Sequence, residues 1–150
     1  MAVTLDAPPS AVWPWLAQMG YDKGGWYSWD LLDNLGKPSV DRVHSEWQGI
    51  KLGDVMYGPK LMPVFEVVAI EPGRFLALRT LFGRSDRRHK DSDGVWAFEL
   101  KDLPGGRTRL IVRTIAGKLG FVDYAFWQPA HWFMQTRQFQ KLKRLTARAA

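Results

Sequence analysis

Three groups of residues in this 150-residue chain have the types and spacing to do chemistry. His44 and Glu46, two apart and beside Trp47, pair an imidazole with a carboxylate. Such a pair can act as general base or acid near neutral pH, the carboxylate orienting the ring and raising its pKa. The same side chains can equally hydrogen-bond loop backbone and seal one end of the fold. Two possible ligands without a spaced third make no closed metal shell, so neither metal nor cofactor is expected. Asp30 follows Trp26, Tyr27 and Trp29, which supply rings able to stack on a flat ligand beside a carboxylate handle. His131, four residues before Gln135, faces a ligand if its helix crosses a cavity mouth, and is otherwise a boundary residue; Phe133 lies beside it. Tyr57, Phe65, Trp96 and Phe98 form the floor of a pocket if the face that carries them is hollow, and ordinary packing if it is filled. Phosphate loops, nucleophile elbows and zinc-protease strings are absent. The candidate proton-moving groups are therefore His44, Glu46, Asp30 and His131.

The elements that must position these groups are bounded by composition. A chain of this length forms one domain with a real core. Hydrophobic residues at 46% and eight tryptophans exclude disorder. The absence of cysteine excludes disulfides, thiolate zinc sites and thiol catalysis together. Neither a leader nor a run of about 18 apolar residues is present, so a cytoplasmic protein without a membrane span is expected. The net charge is +6, and Arg137, Lys141, Lys143, Arg144 and Arg148 supply most of the excess with no acid among them. Phe139, Leu142 and Leu145 recur between them at helical spacing, which places the cations on the opposite, solvated face. Weak contact with an acidic surface is the alternative role for that face. Nucleic-acid binding is not expected, because no RNA- or DNA-binding signature occurs in the chain. Monomer and homodimer both remain open.

Along the chain, Val3 to Leu5 reads as a strand. Asp6-Ala7-Pro8-Pro9-Ser10 then opens a helix, capped by Asp6 or Ser10 and stopped at Gly20. Trp26 to Leu35 reads as a second helix with Ser28 as cap and Leu31, Leu32 and Leu35 facing inward. Residues 40–53 form an ordered loop. Strands follow at 54–57, 64–70, 75–80, 95–101 and 108–115, separated by turn signals and, at 83–94, by an exposed charged loop. Trp96, Phe98 and Leu100 share a face, as do Leu110 and Val112, so one face of the sheet is dry. From Phe121 the chain is helical, with a break predicted at Pro129. This order gives an α+β fold in which a curved antiparallel sheet has its dry face covered by the long C-terminal helix.

The order and several strings resemble the START-like, helix-grip superfamily, SRPBCC, and within it the bacterial polyketide cyclase/dehydrase-like members. The strings are Ala7 to Gly20 (APPSAVWPWLAQMG), Gly24 to Asp30 (GGWYSWD), His44 to Gln48 (HSEWQ), Gly106 to Arg113 (GRTRLIVR) and Pro129 to Met134 (PAHWFM). The resemblance covers nearly the whole chain. It implies a helix-grip fold with six to seven strands and a cavity between sheet and helix for a hydrophobic or aromatic small molecule, lined by Trp26, Tyr27, Trp29, Trp47, Tyr57, Phe65, Trp96, Phe98 and Phe133. The superfamily includes lipid carriers, receptors, cyclases and hydrolases, so activity does not follow from fold. A cofactor-independent cyclase, dehydratase or hydrolase using that pocket is the alternative, and an interaction module working through the basic helix is a third reading.

Overall fold

The computed structural model describes residues 1–81, 94–115 and 121–148. Strand β1 (Ala2–Leu5) leads to helix α1 (Pro9–Ala17) and the one-turn helix α2 (Asp30–Asp33). A 3₁₀ turn at Ser45–Trp47 precedes β2 (Val55–Tyr57), β3 (Pro63–Glu71), β4 (Phe75–Thr80), β5 (Val95–Leu103) and β6 (Arg107–Ile115). Helix α3 (Phe121–Ala147) closes the chain. The six strands form one antiparallel, curved sheet in the order β1-β6-β5-β4-β3-β2, with β1 returning to the edge beside β6. Register shifts between Met56 and Tyr57 and between Val67 and Ala69 interrupt the ladders at the β2–β3 side, where bulges increase bend and twist.

The alternation predicted for the last hairpin is present. Phe98 pairs with Val112 and Leu100 with Leu110, all four buried, while Lys101 and Arg109 pair on the wet face. That dry face, with Leu76 and Leu78 of β4, shares one core with Val12, Trp15 and Leu16 of α1 and Phe139, Leu142 and Leu145 of α3. Of the basic residues expected on the solvated face, Lys143, Arg144 and Arg148 are exposed, whereas Arg137 and Lys141 are half-buried, Lys141 against Asp30.

Several local expectations give way to longer-range contacts. Neither Asp6 nor Ser10 caps α1; Pro8 occupies the cap position, and its carbonyl accepts from Ala11 N and Val12 N. The helix expected over Trp26 to Leu35 shrinks to α2. Tyr27 takes a left-handed φ of 58°, and Ser28, the expected cap, donates to Met134 O on α3 instead. Leu31, Leu32 and Leu35, expected inside, are exposed. At Pro129 the helix continues unbroken. A proline in a helix interior costs about 3 kcal/mol, and the docking of Phe139, Leu142 and Leu145 downstream offsets that loss. Most of the charged segment at 83–94 lies outside the described residues.

Candidate functional site

Trp96, at the start of β5, is the centre of an aromatic cluster on the dry face of the sheet. Its ring centroid is 4.6 Å from Phe98, 5.5 Å from Phe65 on β3, 6.2 Å from Trp26 and 6.2 Å from His131 on α3. Trp26 closes the group edge-on to Phe65 at 5.4 Å. Phe98 and Trp26 are buried, whereas Trp96, Phe65 and His131 are only half-buried. Offset and edge-to-face contacts of this kind also suit an added flat ring.

A chain of polar side chains ties the cluster together. Trp96 Nε1 donates to Gln135 Oε1 (3.2 Å), Gln135 Nε2 donates to Gln138 Oε1 (2.8 Å), and Gln138 Nε2 donates to Trp26 O (2.9 Å). Sheet, helix and the Trp26 turn are therefore joined by groups that would be costly to bury unpaired. Beside them His131 Nε2 lies 2.8 Å from Thr114 Oγ1. Burial, helped by the N-terminal amine, holds the His131 pKa below its ordinary value, so at neutral pH the ring is an uncharged hydrogen-bonding group. Gln135 and Gln138 are absent from the candidates that residue type and spacing single out. Their signal is phase: they fall on the same buried helical stripe as Phe139, Leu142 and Leu145.

The turn that carries Trp26 is fixed from three sides. Tyr27 is fully buried, its hydroxyl accepting from Gln18 Nε2 (2.8 Å) and its backbone N donating to Ser39 Oγ (3.2 Å). Burial pushes the Tyr27 phenol far above its usual range, so it stays protonated. Trp29, two residues on, points the other way and stacks on Phe133 at 4.9 Å, with rings 6° from parallel and the Arg137 guanidinium 5.0 Å from the indole centroid. Trp29 and Phe133 therefore sit outside the Trp96 cluster.

Asp30 joins α2 to α3. One carboxylate oxygen accepts from Ser39 Oγ, Ser39 N and Asn34 Nδ2; the other accepts from Lys141 Nζ at 2.8 Å. Burial alone would raise this carboxyl, but the bonds from Lys141 and Ser39 outweigh it and hold the pKa below the usual range. Asp33 is the opposite case. Both its carboxylate oxygens are buried without a hydrogen-bond partner, since Ser28 Oγ is committed to Met134. Burial, with the Asp30 charge second, pushes the Asp33 pKa from 3.8 up to about 6. The native state then holds a proton that the unfolded chain has released, so stability falls as pH rises between those values and a charged Asp33 weakens the fold at neutral pH. Asp33→Asn is expected to stabilise by about 1 kcal/mol near pH 7, allowing for solvent screening of a partly exposed group. The gain should vanish below about pH 4, and denaturant unfolding of both proteins across that range checks it. An equal gain at both ends would contradict this account.

His44 and Glu46 are brought together, at 3.1 Å, but on an exposed loop. Arg42 Nε donates to His44 Nε2 (3.4 Å), which leaves the ring proton on Nδ1, directed at Glu46. The carboxyl of Glu46 is held below its usual pKa by its own backbone N–H and by His44. The ring stacks on Trp47 at 4.3 Å, and His44 N donates to Gln18 Oε1. Both ring nitrogens are thus engaged within the loop. Tyr57 is half-buried on β2, with its carbonyl accepting from Tyr21 N. Arg79, at the far end of β4, pairs with Glu66 at 2.6 Å. Among the described residues no three His, Asp or Glu side chains converge as a metal site.

No family model matches the chain, and no curated protein matches it either. Solved structures do. Protein MLL2253 from Mesorhizobium loti is 19% identical with a TM-score of 0.61, over 100% of this chain and 98% of that one. Protein NE0264 from Nitrosomonas europaea is 15% identical with a TM-score of 0.62, over 100% and 95%. Protein Ms6760 from Mycobacterium smegmatis is 10% identical with a TM-score of 0.57, over 96% and 86%. At these identities the likeness speaks for the fold alone: the chain has a helix-grip fold, a curved six-stranded antiparallel sheet closed by a long C-terminal helix.

Proposed function

We propose that this protein is a START-like superfamily member that binds a hydrophobic or aromatic small molecule between the curved sheet and α3. The observation that carries the reading is the half-buried Trp96, ringed by Phe65, Trp26, Phe98 and His131. A flat ligand seated on this group gains from removing apolar surface from water, about 25 cal/mol per Å². The neutral His131 imidazole and the Thr114 hydroxyl supply polar edges that orient it. Where a ligand carries a carbonyl or hydroxyl, those two groups are the partners at hand.

The test is native mass spectrometry of the purified protein for a co-purifying molecule, with titration by anilinonaphthalene sulfonate followed through its fluorescence. Phe65→Ala removes one wall of the cluster and is expected to weaken probe binding about tenfold, close to 1.4 kcal/mol, as loss of a large aromatic contact implies. A chain that carries no small molecule, together with a Phe65→Ala variant that binds the probe as well as the wild type, would sink the reading.

A further inference from the structure

Helix α2 and the residues around it are built inside out. Its two carboxylates turn inward, Asp30 to Ser39 and Lys141, and Asp33 into a site without partners. Its leucines turn outward: Leu31 is 77% exposed, Leu32 63%, and Leu35, just past the helix, 56%. An ordinary surface turn would place these residues the other way round, since exposed leucine gains nothing from water and buried carboxylate loses by it. Next to this turn Trp29 stacks on Phe133, and Phe133 and Trp132 are themselves exposed. Contiguous apolar surface of this kind marks an interaction site rather than scattered exposure.

Charge indicates the partner. At 100° per residue, Phe133, Arg137, Lys141 and Arg144 fall within one narrow stripe of α3, with Arg148 just past its end, so the aromatic end of the face runs directly into a basic one. No acid occurs from Phe133 to Arg148, and the acids of α2 are withdrawn from the surface. A second copy of the chain would bring like charges together along this stripe, which is unfavourable. A face with leucine, tryptophan and phenylalanine at one end and arginines along the rest has the composition of an element lying in the plane of a membrane interface. No helix among the described residues is long and apolar enough to cross a membrane, so such contact would be peripheral.

We infer that the face formed by the Trp29–Leu35 turn and the exposed stripe of α3 seats this protein on an anionic lipid surface. Leu31, Leu32 and Phe133 enter the headgroup boundary, and Arg137, Arg144 and Arg148 lie against the phosphates. Each cation near such a surface is worth about a fivefold change in partitioning, and the effect is lost over a Debye length as salt is added.

The experiment is flotation of the full chain with vesicles of phosphatidylcholine alone and of phosphatidylcholine mixed with phosphatidylglycerol. Binding is expected to the mixed vesicles only and to fall with salt. Leu31→Ser combined with Leu32→Ser, and separately Arg144→Glu combined with Arg148→Glu, should each weaken it at least about tenfold. All four residues are exposed, so melting should be unchanged and folding is not at issue. Absence of wild-type binding, equal binding to both vesicles, or retention of binding by either variant overturns the inference. So does a wild-type dimer in sedimentation that the leucine variant splits, because the face would then be covered by a second copy.

Discussion

Gly25→Ala is expected to destabilise the protein by about 3 to 5 kcal/mol, the range of the most damaging single substitutions. Two costs combine. Gly25 has φ of +82°, a left-handed conformation that costs an L side chain about 1 to 2 kcal/mol. A β-carbon there would also overlap Asn34 Nδ2 and lie 2.7 Å from Ser39 Oγ and 2.9 Å from Ser39 Cβ. Those two side chains cannot simply move aside. Asn34 Nδ2 donates to Ser39 Oγ and to Asp30, and Ser39 Oγ serves Asp30 and Tyr27 N. Displacing them leaves Asp30 with only Ser39 N and Lys141 and frees the strained Tyr27 turn that carries Trp26 into the aromatic cluster. The expected readout is a large loss in urea midpoint, with the near-ultraviolet aromatic signal altered where folding persists. Gly36→Ala provides the contrast: its φ is +81°, but no atom lies within 4 Å of the added carbon, so only the conformational cost of about 1 to 2 kcal/mol should appear. Equal losses at the two positions would show that the clash, and with it the Asn34–Ser39 network, is unimportant.

What can be read from the sequence, and what cannot, divides along the range of the interactions. The β5–β6 hairpin is legible because a two-residue period and a buried face agree: Phe98, Leu100, Leu110 and Val112 alternate with charged residues, and the register follows. The basic face of α3 is legible for the same reason at a period of 3.6. The Trp26 to Leu35 segment misleads because three leucines at helical spacing look like a buried stripe. In the structure, bonds from partners more than 100 residues away fix its backbone, Ser28 with Met134 O and Gln138 with Trp26 O, and the leucines are left outside. Tertiary hydrogen bonds here override local propensity. Among the site residues, the approach of Phe65 to Trp96 and Phe98 follows from β3 and β5 flanking β4 in one sheet, whereas Trp26 arrives on a turn held by Gln138. The placement of Trp29 and Phe133 on the outer surface does not follow from the sheet, because it depends on the reversal at Tyr27, for which a tyrosine at positive φ gives no sequence signal. His44 and Glu46 do meet, yet only the fold reveals that Arg42 takes up the second ring nitrogen.

Trp96→Ala should act on both stability and binding, and the two can be separated. Truncating a tryptophan that contacts four other rings costs about 3 kcal/mol, at the lower end of the range because Trp96 is half-buried. It also leaves Gln135 Oε1 buried without its donor, while Gln135 Nε2 remains committed to Gln138. Trp96→Phe keeps a ring in place and removes only the N–H and part of the area, so its cost should stay near 1 to 2 kcal/mol. A hub that serves packing alone predicts that the stabilisation conferred by an aromatic ligand is the same for wild type and both variants. A hub that is the floor of a binding site predicts a graded loss. Saturating ligand raises the unfolding free energy by RT ln(1 + [L]/Kd), about 2.7 kcal/mol at a hundredfold excess over Kd. That increment should shrink by about half for Trp96→Phe, if affinity falls roughly tenfold, and disappear for Trp96→Ala. Thermal melts with and without anilinonaphthalene sulfonate measure it directly, because the increment is taken within each variant and its intrinsic stability cancels. The dependence on the indole N–H is the sharper half of the comparison. Gln135 holds that N–H through the same chain that reaches Trp26, so losing it unties sheet from helix at the place where a ligand would enter.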